Sequence, residues 1–190
     1  MGPESGGKFI QDHRWSLDVS TLYAALTDGT ITSYDPKSSV SACLKSTQLL
    51  SIGFPKPTKI AVVGQYFLAS TLNASRQREL RISLSDPLGA SLHVVTLETA
   101  SKPFTLRIGI DRSLVFMASR GEATVRWIEV DDARNFGQKA FPVPPRTTFG
   151  SAALLPPLGL DVIRAEINRL YVLTADTNEI VPISIHVPQR

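Results

Sequence analysis

The sequence predicts an all-β chain built from repeated antiparallel meanders. Three observations lead there. Short runs rich in Val, Ile, Leu, Thr and aromatic residues recur between turn residues, none of these runs keeps a helical period beyond about ten residues, and their endings recur at related distances. With 190 residues, 43% of them apolar, the chain is long enough for one domain with a sizeable core, and disorder, collagen and coiled coil do not fit this composition.

Taken in order, residues 1–8 read as a disordered N-terminus that lacks the charged head and apolar run of a signal peptide. Pro3 and Gly6 also argue against myristoylation after the Met-Gly start. Phe9 to Leu17 reads as part of a further repeat unit, beyond the three that follow. The first clear unit runs Leu22 to Leu26, turns through Thr27-Asp28-Gly29 and returns from Thr30 to Tyr34, where Asp35-Pro36 ends it. The second follows Pro55 and Pro57: Lys59 to Val63, a Gly64-Gln65 turn, Tyr66 to Ser70, a polar stretch to Glu79, and Leu80 to Leu84 before Asp86-Pro87. In the third, Phe104 to Ile110, a turn at Asp111-Arg112, Leu114 to Ala118, a turn at Gly121 and Thr124 to Val130 form another meander.

The unit endings near Tyr34, Ser85 and Ile128 lie 51 and 43 residues apart. This brackets the ~40–45-residue period of WD-type propeller blades, with one loop insertion. Four-stranded blades that bury their faces against neighbours explain why no single long amphipathic element is present. Residues 9–141 therefore read as consecutive blades and 142–190 as a closing segment. Between Pro142 and Pro157 five of sixteen residues are proline, which predicts a long surface connection. Glu166 to Leu173 and Ile180 to Val187 then read as two final strands joined through Asp176-Thr177-Asn178.

Charge and motif content narrow the function classes. Twenty Lys and Arg against 17 Asp and Glu leave only +3, without blocks of like charge, so nucleic acid is not an expected partner. No apolar run is long enough for a membrane span. Cys43 is the single cysteine, which excludes an internal disulfide and fits a reducing cytosol. With only His13, His93 and His186 beside it, no zinc-type ligand set forms, and neither a metal nor another cofactor is expected. The Asn73-Ala74-Ser75 sequon reads as chance in the absence of a secretory signal. There is no Gly-x-Ser-x-Gly elbow, phosphate loop or His-Glu-x-x-His, and a lone His93 without a nucleophile does not make a catalyst, so the chain reads as no enzyme.

A specific resemblance lies in the third unit and the tail. Asp111-Arg-Ser-Leu-Val-Phe-Met-Ala118, Ser119-Arg-Gly-Glu122 and Val125-Arg-Trp-Ile-Glu129 are followed by Leu155-Pro156, Gly159-Leu-Asp-Val162, Glu166-Ile167, Arg169-Leu-Tyr171, Leu173, Pro182-Ile-Ser184 and Val187-Pro188. In this order and spacing they resemble the C-terminal part of the coronin propeller. Upstream, Ser75-Arg76 and Glu79 resemble that family's Ser-Arg-x-Ser-Glu-Arg loop, and Asp86-Pro87 the end of its Leu-Trp-Asp-Pro strand. The departures are Ser85 for the tryptophan, Ser119 and Asn73 for glycines, Arg78 for serine, and Pro157-Leu158 where the family places Lys-Arg.

The resemblance implies the last three or so blades of a seven-bladed WD-repeat propeller, with 142–190 as its closing segment. About half of a closed ring is covered, so exposed blade edges predict self-association and poor behaviour as an isolated monomer. It further implies a cytoplasmic, non-enzymatic adaptor of the actin cytoskeleton. Its partners would be actin filaments, with the actin-related-protein branching complex and filament-severing factors beside them. The alternatives are a scaffold of Golgi and endosomal traffic, or a truncated interaction module without actin binding of its own. Candidate partner-binding residues are Arg76, Glu79, Arg120, Glu122 and Arg169. Each also has a structural reading, as a local ion pair or a solvated hairpin tip, and exposed pairs contribute only ~0–1 kcal/mol. Asp161, Glu166 and Arg169 read as satisfying backbone groups or each other. Trp15 and Trp127 read as core between blades.

Overall fold

The computed structural model describes residues 8–37, 43–48, 57–85, 92–109, 114–130, 139–143 and 147–187, with 43–48 described as backbone only. Two compact units follow along the chain, Met1–Phe104 and Thr105–Arg190. Their described residues form small antiparallel sheets and two short 3-10 turns, with no α-helix.

In the first unit β1 (Ile10–Trp15), β2 (Leu22–Leu26), β3 (Thr30–Tyr34) and β4 (Cys43–Gln48) form one sheet in chain order. A second sheet holds β5 (Lys59–Val63), β6 (Tyr66–Leu72), β7 (Gln77–Leu84) and β8 (His93–Thr99), again in chain order. The β2–β3 turn closes because Gly29 takes a φ of 85°, a region in which a side chain would strain the backbone. The Asp28 carboxylate accepts from the Thr30 N–H at 3.0 Å and so locks the return strand. The two sheets touch along their first strands, β1 and β5. There the Gln11 side chain accepts from the Thr58 N–H at 2.7 Å and the Asp12 carboxylate from the Ile60 N–H at 3.0 Å. Behind this seam Tyr23, Ala25 and Ile31 pack on Ile60, Val62, Phe67 and Ala69. The Tyr23 and Phe67 rings lie 5.3 Å apart, and the tyrosine hydroxyl donates to the Ser85 carbonyl at 2.9 Å.

The second unit repeats the plan. One sheet holds β9 (Thr105–Ile108), β10 (Leu114–Ala118), β11 (Thr124–Glu129) and β12 (Lys139–Pro142), and the other β13 (Phe149–Leu154), β14 (Glu166–Thr174) and β15 (Ile180–His186). First strands again meet: β9 touches β13, and Arg107 Nε donates to the Ala152 carbonyl at 2.7 Å. Leu114, Phe116, Ala118 and Val125 pack on Phe149, Ala152, Leu170 and Val172. Sheets that touch by first strands and bury their faces on each other have the blade geometry expected from the sequence, and a partial WD-type propeller accounts for all four.

The structure adds strands and moves some boundaries. β1 pairs with β2, so Phe9 to Leu17 supplies the first strand of the first sheet rather than part of a further blade. The polar stretch before Glu79 shrinks to a turn at residues 73–76, because β6 continues to Leu72 and β7 begins at Gln77. The proline-rich segment carries β13 rather than a continuous surface connection. Its prolines flank the strand, and the intervening Phe149–Leu154 run has every ladder donor it needs. Four sheets thus stand where three meanders and a tail were expected. Trp15 is 45% exposed at the end of β1 instead of buried. The expected turns at Asp111-Arg112 and Asp86-Pro87 lie outside the described residues, as does nearly all of the disordered N-terminus expected at 1–8.

Candidate partner-binding site

The five candidate residues sit on three turns or strand ends in two different units. In the first, Arg76 ends the β6–β7 turn at a φ of 59°, exposed, with its N–H bonded to the Asn73 carbonyl at 3.0 Å. Asn73 Oδ1 accepts from the Gln77 N–H at 2.9 Å, a side-chain substitute for a backbone turn that lets asparagine stand where the family has glycine. Glu79 lies on β7 opposite Thr71, and its carboxylate takes both Arg81 Nε and Nη2, at 3.0 and 2.8 Å. The partner of Glu79 is therefore Arg81, two residues along the same strand face, rather than Arg76.

Between them lies a residue that sequence reasoning passed over. The Arg78 side chain is only 4% exposed. Its guanidinium donates to the Lys102 carbonyl at 2.8 Å and to Glu98 at 2.7 Å, and sits 4.2 Å from the centre of the Phe104 ring. Phe104 is itself fully buried, with its N–H bonded to Ser70 Oγ at 3.0 Å. Arg78 thus ties β7 and β8 to the end of the first unit. The signal was its apolar alternation with Leu80 and Ile82, which put residue 78 on the inward face.

In the second unit Arg120 is exposed on the β10–β11 turn, while Glu122 is half-buried. The turn backbone is not a free tip: the Gly121 N–H donates to the Phe149 carbonyl at 2.7 Å, and the Phe149 N–H donates back to the Glu122 carbonyl at 2.7 Å. Arg169, on β14, makes a two-pronged pair with Glu166, Nε to Oε1 and Nη2 to Oε2, both at 2.6 Å. Glu166 is buried and also accepts from the Asp161 N–H at 2.7 Å. The Arg169 guanidinium, then the Asp161 N–H and the Ser184 hydroxyl, hold the Glu166 carboxyl down at about 2. The same pairing raises Arg169 above the usual arginine range. Trp127 is half-buried beside the core, with Lys139 Nζ 5.0 Å from its ring centre.

Arg76 and Arg120 are thus exposed cations on turns whose backbones are fixed, whereas Glu79 and Arg169 are engaged in pairs. Among the described residues no group of three His, Cys, Asp or Glu could hold a metal ion, and no helix is long and apolar enough to cross a membrane.

No protein-family model matches the chain. Coronin-7 of Mus musculus is 26% identical over 189 residues, 98% of this chain, and Coronin-7 of Bos taurus 25% identical over 184 residues. Coronin-2B of Xenopus laevis is 26% identical over 140 residues, 71% of this chain. Among solved structures, the WD40 domain of Toxoplasma gondii coronin superposes with a TM-score of 0.83 over 96% of this chain at 17% identity. The chain resembles a divergent coronin-type WD-repeat segment. A second propeller, the Cps50 (Swd1) domain of Myceliophthora thermophila, superposes over 94% of the chain with a TM-score of 0.62 at 15% identity, a likeness of fold alone. This chain spans about 20% of the Coronin-7 chains and 47% of the T. gondii chain. These likenesses carry the fold, a segment of WD-type propeller, and a resemblance to coronins.

Proposed function

We propose that this coronin-type segment serves a non-enzymatic adaptor that binds the sides of actin filaments and helps regulate actin turnover. The branching complex and filament-severing factors are the partners such an adaptor would work beside, in the cytoplasm. The observation that carries this reading is the likeness to Coronin-7 along 98% of the chain, joined to the ordered tail motif from Gly159 to Val187. The arrangement of the surface supports it: Arg76 and Arg120 project from turns held by their own backbones, so little ordering accompanies a contact with an acidic filament. Glu79 in the first unit, and Glu122 and Arg169 in the second, are further contact residues, each read within its own unit. With a net charge of only +3 the attraction is modest and screened beyond ~10 Å at 0.1 M salt.

The test is co-sedimentation with filamentous actin. Pelleting at low ionic strength that falls as salt rises, and that drops at least about threefold in Arg76→Glu and Arg120→Glu, is the expected result. No pelleting at low salt removes the filament reading and leaves a trafficking scaffold or an interaction module as the occupants of this fold.

A further inference from the structure

One end of the second sheet in the first unit gathers cations from two strands. Arg76 closes the β6–β7 turn, Arg78 and Arg81 follow in β7, and Lys102 lies on the chain that leaves β8. The acidic neighbours are already committed: Glu98 takes the Arg78 guanidinium at 2.7 Å, and Glu79 takes Arg81 at 2.8 Å. Arg76 and Lys102 are exposed, and among the described residues neither is in an ion pair. Two positive charges are thus left for a partner at this end of the sheet.

The backbone brings them together. Gln77 pairs with Thr99 across β7 and β8, and one step beyond that pair the Ala100 N–H donates to the Arg76 carbonyl at 2.9 Å. Two residues later Arg78 Nε donates to the Lys102 carbonyl at 2.8 Å. That arginine is buried, with its guanidinium 4.2 Å from the centre of the Phe104 ring. On its other side Lys102 precedes Pro103, which confines the lysine to extended backbone. Phe104, next along, is pinned by its N–H bond to Ser70 Oγ at 3.0 Å. The Lys102 main chain is therefore held from both sides, and only its side chain needs ordering when a partner arrives. Arg78 stands where coronins carry serine, so the clamp on Lys102 is a feature of this chain.

We propose that Arg76 and Lys102 form a two-cation dock for a carboxylate-rich protein segment, and that buried Arg78 is the positioning residue that holds Lys102 in it. The choice of an acidic partner rests on the filament reading above; the joint action of the two cations does not. An arginine fork takes one carboxylate by two hydrogen bonds, and the lysine beside it adds a point charge for a second. A nucleic acid or an anionic membrane would draw on many more cations than two, and the whole chain carries a net charge of only +3.

The test uses the 190-residue chain with two probes: fluorescent poly-glutamate, read by anisotropy, and filamentous actin, read by co-sedimentation. Both are run at about 10 mM salt, where the screening length is ~30 Å. Arg76→Glu and Lys102→Glu are each expected to weaken poly-glutamate binding at least about threefold. Lys37→Glu, which reverses an exposed cation after β3 in the other sheet, should have less than about half that effect. Replacing the buried pair together, Arg78→Met with Glu98→Gln, leaves the net charge unchanged and keeps an apolar stem against Phe104. In that background Lys102→Glu should lose at least about half of its effect, while Arg76→Glu keeps its own. A merely structural role for Arg78 would shift the melting temperature without this coupling, and circular dichroism confirms that each variant is folded. A wild-type chain that ignores poly-glutamate, a Lys37→Glu loss equal to that of Lys102→Glu, or full additivity with the Arg78 replacement would each overturn the proposal. The expected poly-glutamate pattern without actin pelleting would remove the filament reading and leave the dock standing.

Discussion

Arg78 and Glu166 show how single charged side chains hold this fold at points where the sequence shows only polarity. Arg78 stands where the related family has serine, yet it is enclosed by the Lys102 carbonyl, Glu98 and the Phe104 ring. Replacing it with serine or alanine removes a charged hydrogen bond to a backbone carbonyl and the packing of its stem. A loss of about 1–3 kcal/mol in urea unfolding is expected, with Arg78→Lys recovering little because an ammonium cannot match the fork. Glu166 behaves as a pH-dependent element. Its folded carboxyl titrates at about 2 against an ordinary 4.5, so the unfolded chain binds the proton first. The stability due to this charge is therefore complete above about pH 4.5 and is lost as the pH falls toward 2. Melting temperatures across that window should converge for wild type and Glu166→Gln, after differing clearly at pH 7. A gap that persists at low pH would show that the carboxylate is not the stabilising form.

Among the elements, β13 and β14 show most clearly what places the second unit's surface. β14 alternates without a break, with Glu166, Asn168, Leu170, Val172 and Thr174 on the fully buried side. β13 joins it through a register shift between Phe149 and Ser151. Gly150 sits in that shift, where an added Cβ would lie 2.7 Å from the Leu173 carbonyl. Backbone atoms cannot give way as a side-chain end can, so Gly150→Ala is expected to destabilise by about 1–3 kcal/mol in chemical denaturation. In the first unit the matching role falls to Phe67, fully buried against Tyr23. Phe67→Ala should cost about 3–5 kcal/mol and speed amide exchange most in β5, β6 and β7.

At the level of the whole molecule, four small sheets make up a segment of WD-type propeller that spans about a fifth of the Coronin-7 chains it resembles. Outer strands carry proline, Pro142 on β12 and Pro182 on β15, which removes donors from edges that would otherwise recruit further strands. Such edges are less adhesive than a bare half-ring suggests.

The inner strands were legible without coordinates. Leu22 to Leu26, Lys59 to Val63, Leu114 to Ala118 and the pair after Glu166 are apolar runs bounded by glycine, asparagine or aspartate, and each forms the strand expected. Burial on both faces makes the pattern strong in the first three of these, whereas β14 and the outer strand β15 are legible from their strict alternation. Outer strands were less visible: β12 carries Lys139 and Pro142, and β8 is largely exposed, because a strand paired on one side and wetted on the other needs little hydrophobic signal. Composition and local turn chemistry thus determined the blade repeat and, through the tail motif, its coronin likeness. Tertiary structure alone decided that Arg78 is enclosed by Glu98, the Lys102 carbonyl and the Phe104 ring, and that Trp15 is exposed. Each of these depends on which side chains distant strands bring together, and that information resides in packing across sheets rather than in the order of residues along one of them.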